Sequence, residues 1–279
     1  MALSLRLIRL AFGALQRTAP PLAAAWADRI FCTPPRRGMS ERMAQWLAAG
    51  QRFDVPADRR RVVVWSWGEG DGKPIVVLIH GWGSRAARFV GLGEALVESG
   101  HRVVALDGPG HGESPGRLSS GIEFARAILA VANAVGGVHG IVGHSLGGFA
   151  TVLALRQGLA VRRAVFISPS ATIDAYADRF ATVLGVTPRV MTAMRRRLER
   201  RLRFGWDQLD AAAIAPTMRI PLLVIHDRDD AEVSWDEGAA IARAWPDATL
   251  VTTTGLGHHR IASDGGVVGR VVQFLQRPD

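Results

Sequence analysis

Gly143-His144-Ser145-Leu146-Gly147 places a hydroxyl between two glycines, directly after the apolar stretch Val138–Val142 and directly before the helical stretch 149–157. A serine held on a sharp strand-to-helix turn presents its hydroxyl to a base, and the flanking glycines leave room where a Cβ would clash. The chemistry this permits is nucleophilic attack on an acyl carbonyl. Two further clusters supply what a serine nucleophile needs. His226-Asp227-Arg228-Asp229-Asp230 closes the apolar run Leu222–Ile225, and Gly255-Leu256-Gly257-His258-His259 follows Thr249–Thr252. A histidine titrating near neutrality can take the serine proton and return it to a leaving group. A carboxylate at a strand's C-terminal end lies on the edge where open α/β sheets form sites. Ser145 is therefore the expected nucleophile and His258 the expected base, with His259 the weaker choice. Asp227, Asp229 and Asp230 are the three candidates for the orienting acid. His80, His111, His144 and His226 are read as structural or pocket-lining.

An alkoxide formed at the carbonyl needs donors already in place. The apolar run Ile75–Ile79 ends in His80-Gly81-Trp82-Gly83. The main-chain N–H groups of Trp82 and of Leu146, the latter at a helix N-terminus, are the expected oxyanion donors.

The elements that must position these groups follow an alternation. Short apolar, β-branched runs at 61–67, 75–79, 102–106, 138–142, 164–167, 222–225 and 249–252 alternate with helical stretches at 85–98, 121–135, 147–157, 236–244 and 265–276. That order predicts a mostly parallel central sheet with helices on both faces. Between about 170 and 217 no strand pattern occurs, which predicts a helical insertion carrying arginines at 195, 196, 197, 200, 201 and 203. Residues 18–40 hold Pro20, Pro21, Pro34 and Pro35 and read as an irregular connector. The expected organisation is an N-terminal extension over 1–59, a core over 60–169 and 218–279, and a cap over 170–217.

Bulk properties narrow the function classes. With 279 residues, 48% of them hydrophobic, the chain can bury a large core. Cys32 is the only cysteine, so no internal disulfide forms. The formal charge is +9, almost all of it arginine, yet no zinc-finger spacing or recognition-helix pattern accompanies it, and no nucleic-acid partner is expected. Residues 2–17, ALSLRLIRLAFGALQR, have arginines interrupting an apolar stretch too short to span a bilayer. They read as an amphipathic helix in a cytoplasmic protein. Peripheral membrane contact through residues 1–17, and export, are the alternatives.

Four stretches together resemble the α/β-hydrolase superfamily over about 60–276: His80-Gly81-Trp82-Gly83, Asp107-Gly108-Pro109-Gly110-His111-Gly112-Glu113-Ser114, Gly143 to Gly148, and Gly257-His258. In that family the acid often sits three residues after a strand-ending glycine and two before a valine. Asp227 stands at the glycine position here, and Asp230 and Val233 match the rest, so the resemblance implies Asp230 as the orienting acid, with Asp227 as runner-up. The resemblance implies an α/β-hydrolase fold with a helical cap over the pocket, nearest to bacterial carboxylesterases and lipases, with a small-molecule acyl ester as substrate and no metal or organic cofactor. The alternatives are acyl transfer or amide cleavage by the same residues, and a non-catalytic binding protein of the same fold. Acyl length, natural substrate and oligomeric state have no signature in the sequence.

Overall fold

The computed structural model describes residues 2–277 except Arg59. Its strands are β1 (Gln51–Ala57), β2 (Arg60–Trp67), β3 (Ile75–Ile79), β4 (Arg102–Leu106), β5 (Val138–His144), β6 (Arg163–Ile167), β7 (Leu222–Asp227) and β8 (Ala248–Thr253). Its α-helices are α1 (Ala2–Thr18), α2 (Pro20–Phe31), α3 (Glu41–Ala48), α4 (Val90–Glu98), α5 (Gly121–Val135), α6 (Leu146–Arg156), α7 (Asp174–Leu184), α8 (Pro188–Leu202), α9 (Ala211–Ile214), α10 (Trp235–Ala244), α11 (Gly257–Arg260) and α12 (Gly265–Leu275). The chain divides into two compact units, one of residues 34–171 and 211–279, the other of residues 1–33 and 172–210.

The larger unit is built on one eight-stranded sheet in the order β1-β2-β4-β3-β5-β6-β7-β8. β1 pairs antiparallel with β2, and β2 antiparallel with β4; every other pairing is parallel. Strand alternation assigns the faces. Val63, Trp65, Val76, Leu78, Val103, Val165 and Leu223 join Trp46 of α3, Leu92 and Leu96 of α4, and Phe274 and Leu275 of α12 in one apolar cluster. The residues between them, such as Val62, Val77, Val104, Ile141 and Val224, are equally buried and face the opposite way, where α6 lies against β5. Strands buried on both faces read as continuous apolar runs, and that made β3 to β7 visible in the sequence.

Two expectations are corrected. Residues 18–40 are an irregular connector only from 33 to 40, around Pro34 and Pro35, because Pro20 opens α2 as its first residue. Proline is disfavoured inside a helix but fits its first turn, where the missing N–H has no acceptor to lose. The sheet also begins earlier than expected. β1 lies inside 51–57, where exposed Gln51, Arg52 and Asp54 hide the strand pattern. This edge strand and the preceding α3 belong to the larger unit. Trp46 stacks on Trp67 with ring centroids 3.7 Å apart, and the Trp67 indole N–H donates to the Trp46 carbonyl at 2.8 Å.

The smaller unit is helical: α1, α2, α7 and α8, with α8 packed along α2. Phe12 stacks on Trp26 at 4.1 Å, and Phe31 meets Tyr176 and Phe180 at 5.0 and 5.2 Å. Part of the arginine run is consumed inside this unit. Arg201 pairs with buried Asp28 at 3.0 Å, and Arg195 pairs with Asp174 at 2.9 Å while lying over the Trp206 ring.

Candidate active site

Ser145 ends the β5 turn and caps α6 with φ 54° and ψ −120°. A non-glycine residue at positive φ is strained by about 1–3 kcal/mol and persists only where its surroundings over-determine it. The surroundings here are backbone. The Ser145 N–H donates to the Ile167 carbonyl at 3.0 Å, and its own carbonyl accepts from the Gly148 N–H at 3.0 Å. A Cβ at Gly143 would lie 2.6 Å from the Gly148 nitrogen, and one at Gly147 would lie 2.2 Å from the Ile79 carbonyl oxygen. Neither neighbour can move, so the turn closes only with glycine at both places.

The loop after β3 comes close to this turn, since a Cβ on Gly81 would sit 2.9 Å from the Ser145 Cβ. Three buried side chains hold that loop. His80 donates from Nδ1 to the Gly81 carbonyl at 2.7 Å and accepts at Nε2 from the Gly108 N–H at 2.9 Å. His111 accepts at Nε2 from the Gly83 N–H at 3.0 Å and donates from Nδ1 to the Pro109 carbonyl. Asp107 accepts from the Ala86 N–H at 2.7 Å and from the Glu113 N–H at 2.6 Å. Burial holds His80 well below its ordinary pKa and His111 down at about 4. It pushes Asp107 up to about 6 against those two backbone donors. The rings are therefore neutral braces, which fixes where the main chain of Trp82 runs. Leu146 is the first residue of α6, a position whose N–H has no acceptor within the helix.

At the ends of β7 and β8 the candidate acid and base meet. His258 Nδ1 lies 2.8 Å from Asp230 Oδ2, with Asp230 9% and His258 8% exposed. Asp230 Oδ1 accepts from the backbone N–H of Glu232 and of Val233, both at 2.9 Å. Burial alone would raise the Asp230 pKa, but donors from His226, His258 and Val233 outweigh it and hold the carboxylate far below its ordinary range. The bond at Nδ1 leaves Nε2 of His258 as the available ring nitrogen. The His258 carbonyl accepts from His144 Nε2 at 2.8 Å, which ties the histidine loop to the residue preceding Ser145. Burial, first, and the nearby His258 push His144 down to about 3, so it serves as a neutral donor.

His259 and Asp227 go elsewhere. His259 Nε2 lies 2.9 Å from Glu232 Oε1 and 3.1 Å from an Arg37 nitrogen. Asp227 is fully buried and accepts from the Asp229 N–H at 3.0 Å, the Thr253 hydroxyl at 2.7 Å and the Leu256 N–H at 3.1 Å. It braces the loop that carries His258. His226, which the sequence marks only as structural or pocket-lining, stands against the candidate acid, with Nε2 3.4 Å from Asp230 Oδ2 and 3.1 Å from the Val233 carbonyl. No spacing rule finds it, because the turn between 227 and 233 brings residues four apart together without a helix. Gly238 could have hinted at it, since a Cβ there would fall 2.2 Å from His226 Nδ1. Among the described residues no group of three or more His, Cys, Asp or Glu side chains could hold a metal ion.

Residues 74–199 match the family described as alpha/beta hydrolase fold, and residues 205–279 match TAP-like protein. A 2-hydroxy-6-oxononadienedioate/2-hydroxy-6-oxononatrienedioate hydrolase from a Pseudomonas species is 25% identical over 68% of this chain and 83% of its own length. Other curated relatives match over less than half of their own length. Among solved structures, the esterase Pf2001 of Pyrococcus furiosus superposes with a TM-score of 0.68 at 19% identity, covering 88% of this chain and 98% of that one. A membrane phospholipase A described as a bacterial virulence factor superposes with a TM-score of 0.64 at 17% identity, covering 98% of this chain and 97% of that one.

Proposed function

The chain belongs to the α/β-hydrolase superfamily, and from that premise we propose that it is a serine hydrolase that cleaves carboxylic esters through an acyl-enzyme. The observation that carries this reading is the 2.8 Å bond from His258 to a buried, ionised Asp230, on the sheet edge where Ser145 is held in its strained turn. A buried, ionised carboxylate that accepts from His258 Nδ1 orients the imidazole with Nε2 free to act as base.

In the proposed cycle His258 Nε2 removes the proton from Ser145 Oγ as the oxygen attacks the ester carbonyl. Asp230 stabilises the resulting imidazolium without taking the proton. The N–H groups of Trp82 and Leu146 receive the developing oxyanion, each contributing roughly 3 kcal/mol. The imidazolium protonates the departing alcohol, and a water activated by the same ring hydrolyses the acyl-serine. The names of the superposing proteins, an esterase and a phospholipase A, add support for an ester carbonyl as the target.

Hydrolysis of nitrophenyl esters of short, medium and long acyl chains tests the reading. Ser145→Ala should lose roughly 10⁴-fold or more in kcat, and a fluorophosphonate probe should label the wild type and not the variant. Equal rates in both proteins would remove Ser145 as the nucleophile. The chain-length preference sizes the acyl site.

A further inference from the structure

α1 is apolar on two opposite faces. At 100° per residue, Leu5, Ile8, Phe12 and Leu15 share one side of the helix, and these are the half-buried or buried positions, with Phe12 fully buried against Trp26. Leu7, Leu10 and Ala14 share the other side, and all three are exposed. Leu7 is 60% and Leu10 71% exposed. Arg6 and Arg17, also exposed, border that outer stripe. One apolar face suffices to dock a helix on its own unit, so the second requires a different explanation.

The surrounding surface points to the partner's chemistry. Among the described residues six large hydrophobic side chains are exposed, and five of them, Leu7, Leu10, Leu22, Tyr176 and Val183, lie in the smaller unit. That unit carries 12 arginines against six acidic residues, so it holds +6 of the chain's +9. Leucines that penetrate an acyl boundary, bordered by long cationic side chains that reach back to headgroups, suit a surface both apolar and negatively charged. A second copy of this chain would bring the same positive charge to the contact. No described helix is long and apolar enough to cross a bilayer, so the contact is with the surface.

We propose that the outer face of α1, through Leu7 and Leu10 flanked by Arg6 and Arg17, docks the protein on an anionic lipid bilayer. This inference does not depend on the catalytic reading, and its test needs no activity. The full chain is sedimented with vesicles of phosphatidylcholine mixed with phosphatidylglycerol, and with vesicles of phosphatidylcholine alone. The wild type should pellet with the anionic vesicles, much less with the neutral ones, and be released by salt. Leu7→Ser/Leu10→Ser should weaken binding by about tenfold or more, with the far-ultraviolet circular dichroism and the unfolding temperature unchanged. Arg6→Gln/Arg17→Gln, which leaves the apolar stripe intact, should weaken binding to anionic vesicles only. A wild type that stays in the supernatant overturns the proposal, and so does equal binding to both vesicle types or binding that survives both double substitutions. Light scattering that shows a dimer abolished by Leu7→Ser/Leu10→Ser, without vesicle binding, would assign the face to self-association instead.

Discussion

The two aspartates at the end of β7 differ in what each oxygen receives, and that difference predicts different losses. Asp230 Oδ1 is committed to two backbone N–H groups, so an Asp230→Asn side chain must place its carbonyl there and its NH₂ toward His258. Two donors then face each other, and His258 is driven to the tautomer that carries its proton on Nε2, where it cannot accept from Ser145. On the proposed relay kcat should fall by about 10⁴-fold with little change in KM. Asp227→Asn sets its NH₂ against either the Asp229 N–H or the Thr253 and Leu256 donors. The histidine loop would loosen while the relay itself stays intact, and kcat should drop only about 10- to 100-fold. Steady-state kinetics on one nitrophenyl ester separates the two. Equal losses would mean that Asp227 and Asp230 act as one unit or that the roles are exchanged.

At the scale of elements, glycine decides how closely a helix can approach the sheet. α6 reaches the end of β3 so closely that Gly147 has no space for a methyl group, whereas exposed Gly269 in α12 has nothing within 4 Å of an added Cβ. Gly147→Ala should therefore cost about 3 kcal/mol, the upper end for overpacking against backbone. Gly269→Ala should gain about 0.5–1 kcal/mol, because only the helix propensity changes. Thermal unfolding of the two variants beside the wild type checks both signs. The capped start of α5 shows the same local determination in a more legible form. The Ser120 hydroxyl oxygen accepts from the Glu123 N–H and the Ser120 hydroxyl donates to the Glu123 carboxylate, a pairing written in the S-x-x-E spacing.

For the whole molecule, the buried neutral rings set the response to acid. His80, His111 and His144 have folded-state pKa values below the ordinary 6.5, with His111 at about 4 and His144 at about 3. The unfolded chain binds those protons first as pH falls, so their stabilisation is complete above pH 6.5 and is lost on the way down to about 4. His111 and His144 each contribute about 1.4 kcal/mol per pH unit in that window, and His80 acts in the same direction. Asp107 has the opposite sign, since its folded-state pKa of about 6 exceeds its unfolded value, and folding is favoured as it protonates between about 6 and 4. Asp107 offsets about one of the two rings His111 and His144, and the net loss is that of one ring, roughly 1.4 kcal/mol per unit, with His80 adding in the same direction. The unfolding temperature should fall steeply between pH 6.5 and 4 and stay flat just above that range. A flat profile through the window would show that the rings are protonated in the folded state.

The amino-acid sequence by itself determined the order of strands and helices, because strands buried on both faces must be apolar throughout and the helices between them must be long enough to cross back. It also placed Ser145 between Gly143 and Gly147 at a strand-to-helix junction, the residue pattern of a sharp turn. It left Asp227 beside Asp230 and His259 beside His258. Neighbours in a chain share composition and spacing, and only the path of the backbone decides which of them turns inward. Tertiary structure made that choice, sending Asp227 to the Thr253–Leu256 loop and His259 to Glu232 and bringing His258 onto Asp230. It alone placed His226 against the candidate acid and paired β1 with β2 where exposed polar residues hide the strand pattern, and it showed Pro20 to be the first residue of α2 and not a break.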